Sequence, residues 1–267
     1  MNAPAGRIGQ KYQSDKIRAR RSRILVETRQ LLSEAGFAGF NIRTLCIRAD
    51  IAEKTLYNAF GSKENVIAAA IREFLFQILD SMSYRFAHDT IDGYLERLLA
   101  CHLRYMQFKA YTAATVVLYN APSESPIRET IQALWNESLA PLVSALEGQK
   151  GFAIGVTSGA FVHTLSFTTF AVTSEWCLGA IADEDYIDRL SEVSLIVIAG
   201  CCRGAAAAQA RRWLEDLRRQ RAGWIGLRKL AELAAEGAVD DSSARQADAL
   251  PRPGKTRRRY SPTSSIV

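Results

Sequence analysis

The amino-acid sequence predicts an all-α protein, on the basis of its composition and of the spacing of its apolar residues. Hydrophobic residues make up 48% of the 267 positions and only 7 residues are Pro, while the helix formers Ala, Leu, Glu and Arg are frequent. Apolar residues recur three or four positions apart in most segments, as they do along one face of a helix. The length allows a small domain and a larger one with its own core. We therefore expect two helical domains of unequal size.

Residues 41–64 carry the pattern of two short helices joined by a tight turn and followed by the start of a third. The first helix has an N-cap in Asn41, because the side-chain oxygen of Asn can accept a bond from an unpaired backbone N–H. Asp50 lies where this helix has to stop, and Asp tolerates a left-handed turn. Gly61 ends the second helix and Ser62 starts the third. The apolar stripe of the first helix consists of Ile42, Leu45, Cys46 and Ala49.

The second short helix divides into an apolar face and a polar face. The residues that we predict to face inward are Ile51, Thr55, Leu56, Ala59 and Phe60. The residues that we predict to face outward are Glu53, Lys54, Tyr57 and Asn58. Two short helices at a steep angle with a polar outer face are typical of a helix-turn-helix, whose second helix can enter the major groove of DNA. The alternative is a helix-turn-helix that serves only for packing against protein.

These residues resemble the DNA-binding domain of the tetracycline-repressor (TetR) family of bacterial transcriptional regulators. The resemblance lies in Gly36-Phe37, in residues 42–51, in Thr55-Leu56-Tyr57 with Phe60, and in Ser62-Lys63-Glu64. Three positions depart from the family pattern. Asp50 replaces the usual turn glycine, Ala52 replaces the usual Ser cap of the recognition helix, and Ala59 replaces the usual His. Loss of the cap costs about 1 kcal/mol.

The resemblance implies which side chains contact DNA. The positions that approach base edges in the family are occupied here by Arg43, Glu53, Lys54 and Tyr57. The positions that approach phosphates are occupied by Ile42, Thr55, Asn58 and Lys63. Arg and Lys can donate to guanine and Glu can accept from cytosine, so the residue types suit these roles. The resemblance also implies a homodimer on a palindromic operator, and repression that a small-molecule effector relieves.

The charge distribution agrees with a DNA partner. The net charge is +6, and residues 1–32 alone carry eight Lys or Arg against Asp15 and Glu27. A basic segment beside a helix-turn-helix favours phosphate contact over membrane contact. A charged segment that is simply solvated is the alternative.

The cysteines do not form a recognisable framework. The chain contains five cysteines, namely Cys46, Cys101, Cys177, Cys201 and Cys202. Their odd number and the absence of a C-x-x-C pair favour buried thiols in a reducing cytoplasm. A redox sensor at the adjacent Cys201 and Cys202 is the alternative. No metal site or cofactor is expected, and no motif of an enzyme is present.

We expect four segments along the chain. Residues 1–16 form a flexible arm, residues 17–83 the helix-turn-helix domain, residues 84–236 the effector-binding and dimerisation domain, and residues 237–267 a disordered basic tail. A long helix from Ser62 to about Arg85 should extend from the first domain into the second. The first helix should occupy about residues 17–35 and end at Gly36 and Gly39.

The second domain should contain several more helices. Their expected ranges are 91–108, 110–121, 126–146 with a kink or break at Pro141, 151–174, 183–200, an Ala-rich and largely solvated helix after Gly204, and 225–235. Residues 151–174 carry no charge over 24 positions, which also raises a membrane span, but nine of these are Ser, Thr or His. Gly151, Gly155 and Gly159 should form a smooth strip for close packing. The 151–174 and 183–200 helices are the expected dimer interface, with an ordinary intrachain core as the alternative.

The effector should bind among aromatic and weakly polar groups of the second domain. The candidates are Phe74, His102, Tyr105, Tyr119, Trp135, His163, Phe167 and Trp176. Each of them alone is more typical of an ordinary core position than of a ligand contact. The sequence thus predicts a ligand-released, sequence-specific repressor, and the alternative is a helical ligand-binding or scaffolding protein that has lost specific DNA recognition.

Overall fold

A computed structural model describes residues 6–119 and 126–237, with only the backbone described for residues 6–15 and 237. The fold class is all-α, as predicted, and the described residues form eleven helices. They are α1 (Gly6–Gly39), α2 (Ile42–Ala49), α3 (Glu53–Phe60), α4 (Lys63–Ser81), α5 (Ile91–Met106), α6 (Lys109–Tyr119), α7 (Pro126–Gly148), α8 (Ser158–Cys177), α9 (Asp183–Cys201), α10 (Gly204–Arg218) and α11 (Ala222–Gly237). The part of the predicted tail that follows residue 237 lies outside the described residues.

Helix α1 begins earlier than predicted, at Gly6 instead of near Ile17. The segment before Ile17 lacks an apolar stripe, but adding residues to an existing helix needs no new nucleus. At its other end the backbone leaves the helical region at Gly36 (φ 62°, ψ −174°), where the sequence predicts the stop. After the kink at Gly36, Phe37 and Phe40 pack against the core of the helix-turn-helix.

The helices α1 to α4 enclose one core. Its central residues Leu45, Ala49, Leu56, Val66 and Ile67 are fully shielded from solvent. The same cluster continues into residues of α6 and α7, namely Tyr111, Leu118, Ile127 and Ile131. Because α1 packs on α6 and α4 packs on α7, the helix-turn-helix is joined to the rest of the chain through buried apolar surface.

Helix α4 ends at Ser81, four residues before the predicted end near Arg85. The carboxylate of Glu96 on α5 accepts bonds from the backbone N–H groups of Arg85 (2.9 and 3.0 Å) and Phe86 (2.9 Å). In a longer helix these N–H groups would bond to carbonyls four residues earlier. The buried carboxylate of Glu96 therefore binds the N–H groups that a longer α4 would use, and it holds the loop of residues 82–90 in place.

A second core lies between α5, α7, α8, α9, α10 and α11. Helix α8 packs along α9, and Phe161, Leu165 and Trp176 of α8 are completely buried. Helix α7 continues through Pro141 as one element, so the division, one of the two possibilities predicted for this position, is absent there. No helix in the described part of the chain combines the length and the apolar character that crossing a membrane requires.

The glycine strip predicted from residues 151–159 does not form, because α8 begins only at Ser158. Residues 151–153 are extended instead and pair with the end of α9. The backbone N–H of Arg203 donates to the carbonyl of Gly151 (2.7 Å), and that of Ala153 donates to Cys201 (2.9 Å). Gly155 has a left-handed φ of 81°, which a helix would not allow.

The two C-terminal helices pack against the rest of the domain as an additional layer. Helix α10 packs against α9, and its residues Ala206, Ala207 and Ala210 are buried. The expectation of a largely solvated helix is therefore wrong for the face of α10 that carries these three alanines. Helix α11 lies against α5 with Trp224 fully buried. Asp92 of α5 also accepts hydrogen bonds from two side chains of α10. Their donors are Gln209 Nε2 (2.7 Å) and Trp213 Nε1 (2.6 Å).

A buried hydrogen-bond chain joins α5, α8 and α9. Thr173 Oγ1 donates its only proton to the carbonyl of Thr169 (2.8 Å), so it can only accept from Tyr186 Oη, 3.0 Å away. Tyr186 Oη must then accept from His102 Nδ1, at 2.6 Å. The proton count therefore places the His102 proton on Nδ1 and leaves Nε2 as an acceptor. Burial lowers the pKa of His102 to about 3, so the ring is neutral.

We expect Trp224→Ala to lower the free energy of unfolding by about 3–5 kcal/mol, because it empties a fully enclosed aromatic site. Trp224→Phe is the matched control. Trp224 Nε1 is buried without a hydrogen-bond partner in the described part of the chain, so Phe loses no bond and should cost well under half as much. Urea denaturation of both variants measures the difference. Equal stability of Trp224→Ala and the unaltered protein would contradict the packing of α11.

We also expect stability to fall in acid because of His102. The unfolded chain takes up a proton below about pH 6.5, whereas the folded chain, with a His102 pKa of about 3, does not. The free energy of unfolding therefore falls as pH falls from about 6.5 toward 3. Between pH 7 and pH 5 the contribution of this group is about 2 kcal/mol.

His102→Gln is the variant that isolates this contribution, because Gln can still donate to Tyr186 but does not titrate. Urea denaturation at pH 7 and pH 5 should show a smaller loss for the variant than for the unaltered protein. Equal losses would mean that His102 is not the group responsible.

Candidate nucleic-acid interface and internal cavity

The turn between α2 and α3 has the geometry that the sequence predicts. Asn41 Oδ1 accepts from the backbone N–H groups of Arg43 (2.8 Å) and Thr44 (3.3 Å), which caps α2. Asp50 adopts the left-handed conformation (φ 52°, ψ 57°) and so replaces the glycine that the family pattern has there. The backbone N–H of Ile51 donates to the carbonyl of Cys46 (3.0 Å) and closes the turn.

Helix α3 presents its polar face to solvent. Leu56 and Phe60 are buried, while Glu53, Lys54, Tyr57 and Asn58 are exposed. Ala59 is also exposed, so its predicted inward position is wrong: it lies beside Asn58 on the solvent side. Ala52 precedes the helix with an extended backbone and no side-chain cap, in agreement with the loss predicted from the sequence.

The arginine-rich stretch of α1 includes a residue that contacts α3. Arg18, Arg20, Arg21 and Arg23 are all exposed. The guanidinium carbon of Arg21 is 4.7 Å from the centroid of the Phe60 ring, at the end of α3. Arg43 at the start of α2 is exposed as well. Arg21 therefore places a positive charge of α1 beside the last residue of α3.

The four side chains expected at phosphates differ in their environments. Asn58 is exposed, whereas Ile42, Thr55 and Lys63 are half-buried. Lys63 Nζ donates to the carbonyl of Phe40 (2.8 Å) and lies 4.6 Å from the centroid of the Phe37 ring. One of the three N–H donors of the Lys63 ammonium group thus binds the connection between α1 and α2, and the other two remain available for a phosphate. Sequence reasoning did not anticipate this bond, because its partner is a backbone group 23 residues away.

A cavity of about 140 Å³ lies between α4, α5, α6, α7 and α8. One water needs roughly 10–15 Å³ measured in this way, so the space would hold roughly ten waters. Its wall is mostly apolar and aromatic. Lining residues include Phe74, Leu75 and Leu79 of α4, Tyr94, Arg97, Cys101, His102 and Tyr105 of α5, Tyr111 and Thr115 of α6, Trp135 and Leu139 of α7, and Thr169 and Phe170 of α8.

The residues proposed from the sequence for the effector divide between this cavity and other places. Phe74, His102, Tyr105 and Trp135 line it. The other four lie elsewhere. Tyr119 stacks on the lining residue Phe170 with a centroid distance of 3.9 Å, Trp176 is buried against Tyr186, and His163 and Phe167 are exposed on α8.

Sequence reasoning missed Arg97 and Cys101 in the cavity. Both lie on α5 at four-residue spacing with Tyr105, which it included, so helical periodicity could have found them. Burial raises the pKa of Cys101 to about 11 and that of Cys202 to about 11. Both cysteines are therefore neutral thiols, which are poor nucleophiles.

Phe74 connects the cavity to the helix-turn-helix core. Its ring meets that of Tyr111 edge-on with a centroid distance of 5.1 Å, and the Arg29 guanidinium of α1 lies 5.4 Å above it. Arg29 Nη1 also pairs with Glu73 of α4 at 2.9 Å, in a half-buried position. A side chain in the cavity wall thus touches α1 and α6 directly.

An apolar strip is exposed on the outer faces of α8 and α9. Phe167 is 60% exposed, Leu178 is 85% exposed and Ile196 is 48% exposed. The ring of His163 stacks along Phe167, one helical turn away, with a centroid distance of 6.4 Å. These side chains have little contact with their own chain.

Comparison with known proteins identifies the N-terminal region. The model of the family described as bacterial regulatory proteins, tetR family, matches residues 24–70. A putative TetR-family transcriptional regulator from Rhodococcus sp. has a similar structure over 67% of this chain and 98% of its own, with 15% identity and a TM-score of 0.53. No curated protein sequence matches the chain.

Two further solved structures show a weaker likeness. A TetR transcriptional regulator from Agrobacterium tumefaciens covers 70% of this chain and 97% of its own, with 14% identity and a TM-score of 0.49. GusR of Salmonella enterica covers 68% and 95%, with 21% identity and a TM-score of 0.47. Together with the helix-turn-helix geometry of α2 and α3, the match over residues 24–70 identifies this region as a DNA-binding domain of the kind found in bacterial regulatory proteins of the tetR family.

Proposed function

We propose that the protein is a sequence-specific repressor that binds a palindromic operator as a homodimer and is released by a small molecule. The observation that carries this proposal is the exposed polar face of α3, flanked by the arginines of α1. A folded helix that exposes Glu53, Lys54 and Tyr57 to solvent has the side chains that base edges require.

DNA reading is proposed to divide between two sets of residues. Arg43, Glu53, Lys54 and Tyr57 approach base edges in the major groove. Phosphates are approached by Ile42 through its backbone, by the side chains of Thr55 and Asn58, and by the free donors of Lys63 at the N-terminus of α4. The exposed arginines of α1 add an attraction to the backbone that does not depend on sequence.

The homodimer is proposed to form through α8 and α9. The exposed strip with Phe167, Leu178 and Ile196 supports this, because large apolar groups that leave their own core uncovered are typical of interfaces. A two-fold axis would place two recognition helices about one turn of DNA apart, roughly 34 Å, which predicts a near-palindromic operator.

Control by a small molecule is proposed to act through the internal cavity. A ligand there would touch Phe74, Leu75 and Leu79 on α4, whose N-terminal half supports the recognition helix. A ligand that prefers a different position of α4 weakens DNA binding, and DNA weakens ligand binding by the same factor. Such coupling is typically about 1–3 kcal/mol.

The competing proposal is a helical ligand-binding protein that no longer recognises DNA specifically. Ala52 and Ala59 favour it, because the first leaves α3 without a side-chain cap and the second places a methyl group where the family has a His. Gel shifts with the DNA that flanks its own gene, at several salt concentrations, separate the two proposals. Steep salt dependence together with sequence preference supports the repressor.

We expect Lys54→Ala to reduce binding to the operator by about 1–3 kcal/mol, because one base contact is lost, and to leave binding to scrambled DNA nearly unchanged. Lys63→Ala should weaken binding to both DNAs alike, because a phosphate contact carries no sequence information. Lys229→Ala, which removes an exposed lysine of α11, is the matched control. Fluorescence anisotropy titrations measure all three variants, and identical profiles for Lys54→Ala and Lys63→Ala would refute the assignment.

We expect Phe167→Glu to dissociate the homodimer, because burying a carboxylate in an apolar interface without a partner is costly. Ala205→Glu adds the same charge at an exposed position of α10 and should leave the dimer intact. Sedimentation equilibrium of the two variants gives their masses. A dimer that survives Phe167→Glu would place the interface elsewhere.

A further inference from the structure

We propose that the internal cavity takes an apolar molecule with one carboxylate, or a comparable single anionic group, and that Arg97 binds this group. The inference rests on the proposed function of the cavity as a ligand site. It adds the chemical class of the ligand and the end of the cavity at which the charged group of the ligand binds.

The first support is the charge of the cavity wall. Arg97 is the one residue with a permanent charge in the described lining, and that lining contains neither Asp nor Glu. The rest of the wall consists of apolar, aromatic and hydroxyl side chains with His88 and His102. A cavity with one cation and no carboxylate attracts an anion and disfavours a cationic ligand.

The second support is the bonding of Arg97 itself. Its Nη1 donates to the carbonyls of Phe86 (3.1 Å) and Gly93 (2.9 Å), which are both neutral. Its Nε is buried and has no acceptor in the described part of the chain. The guanidinium carbon lies 4.4 Å from the centroid of the Tyr84 ring, which also carries no full charge.

No described carboxylate forms an ion pair with Arg97. The nearest in sequence, Glu96, is occupied by the backbone N–H groups of Arg85 and Phe86. Burial lowers the pKa of Arg97, and this effect outweighs the opposing one of the nearby Tyr84 and Glu96. A ligand carboxylate would supply this charge and could bond to two nitrogens of the guanidinium at once.

The third support is that His102 supplies no second positive charge to the cavity. His102 lies five residues further along α5, a rise of about 7.5 Å. Its Nδ1 proton is used by Tyr186, so the ring is neutral and Nε2 offers only a lone pair. The remaining polar groups of the lining are neutral, so a carboxylate meets a full positive charge only at Arg97. The negative group therefore lies at Arg97, with the apolar part extending past Leu98 and Cys101 toward Trp135 and Leu139.

His88, which also lines the cavity, does not alter this conclusion. Burial and the nearby Arg97 charge lower the pKa of His88, so it is neutral at pH 7 and can donate a hydrogen bond to an anion. The cavity volume suits a ligand of roughly ten non-hydrogen atoms, which is the size of octanoate.

The test compares octanoate, 1-octanol and octylamine by isothermal titration calorimetry with the full-length protein. These probes share one apolar chain and differ in the charge of the end group. We expect octanoate to bind at least tenfold more tightly than 1-octanol and octylamine to bind most weakly. Equal affinity for octanoate and 1-octanol would overturn the inference while leaving a ligand site in place.

Two variants assign the preference to Arg97. Arg97→Met keeps the length of the side chain without its charge, and should remove the preference for octanoate while leaving 1-octanol affinity unchanged. Arg97→Lys keeps a positive charge and should retain part of the preference for octanoate. Arg212→Met, at an exposed position of α10, is the matched control and should behave as the unaltered protein.

The outcomes separate this inference from the proposed function. If Arg97→Met still prefers octanoate, Arg97 does not bind the anion. If none of the three probes binds, and benzoate and decanoate fail as well, the cavity is not a site for ligands of this size. The inference then falls together with the proposed control through the cavity, while DNA binding has its own test. Because the probe series is measured first on the unaltered protein, the inference remains testable even if Arg97→Met does not fold.

Discussion

The structure depends on α4 being a member of both cores. Its first half, with Val66, Ile67 and Ile71, packs into the helix-turn-helix, and its second half, with Phe74 and Ile78, faces the cavity and the second core. A helix of 19 residues is about 28 Å long and moves as a unit when it is packed on several sides. The position of the recognition helix and the shape of the cavity are therefore not independent.

Local signals made much of the N-terminal fold predictable. The cap at Asn41, the left-handed turn at Asp50 and the cap at Ser62 each depend on residues within four positions, and the structure has all three. The features that sequence reasoning got wrong depend on distant groups. Glu96 ends α4 from the following helix, and residues 151–153 are held extended by the chain after α9. No local pattern contains that information.

The candidate cavity was only half predictable for a related reason. An aromatic residue on an amphipathic helix can face a core, a cavity or a partner, and composition does not distinguish these. On α8, Thr169, Phe170 and Thr173 line the cavity, while His163 and Phe167 of the same helix are exposed to solvent. Arg97 was missed because charged residues are usually placed on the surface, and only the packed structure shows it among apolar neighbours.

The C-terminal layer braces one wall of the cavity. Helix α5 carries Arg97 and His102 on its cavity side, and on its other sides it is held by α11 and by the bonds from α10 to Asp92. In the ligand control proposed above, a bound molecule therefore presses against an α5 that is supported from behind, while another wall contains α4, which reaches the helix-turn-helix core. The extension thereby gives the interior a stiff side, so the proposed response to a ligand depends on α10 and α11 as well as on the cavity itself.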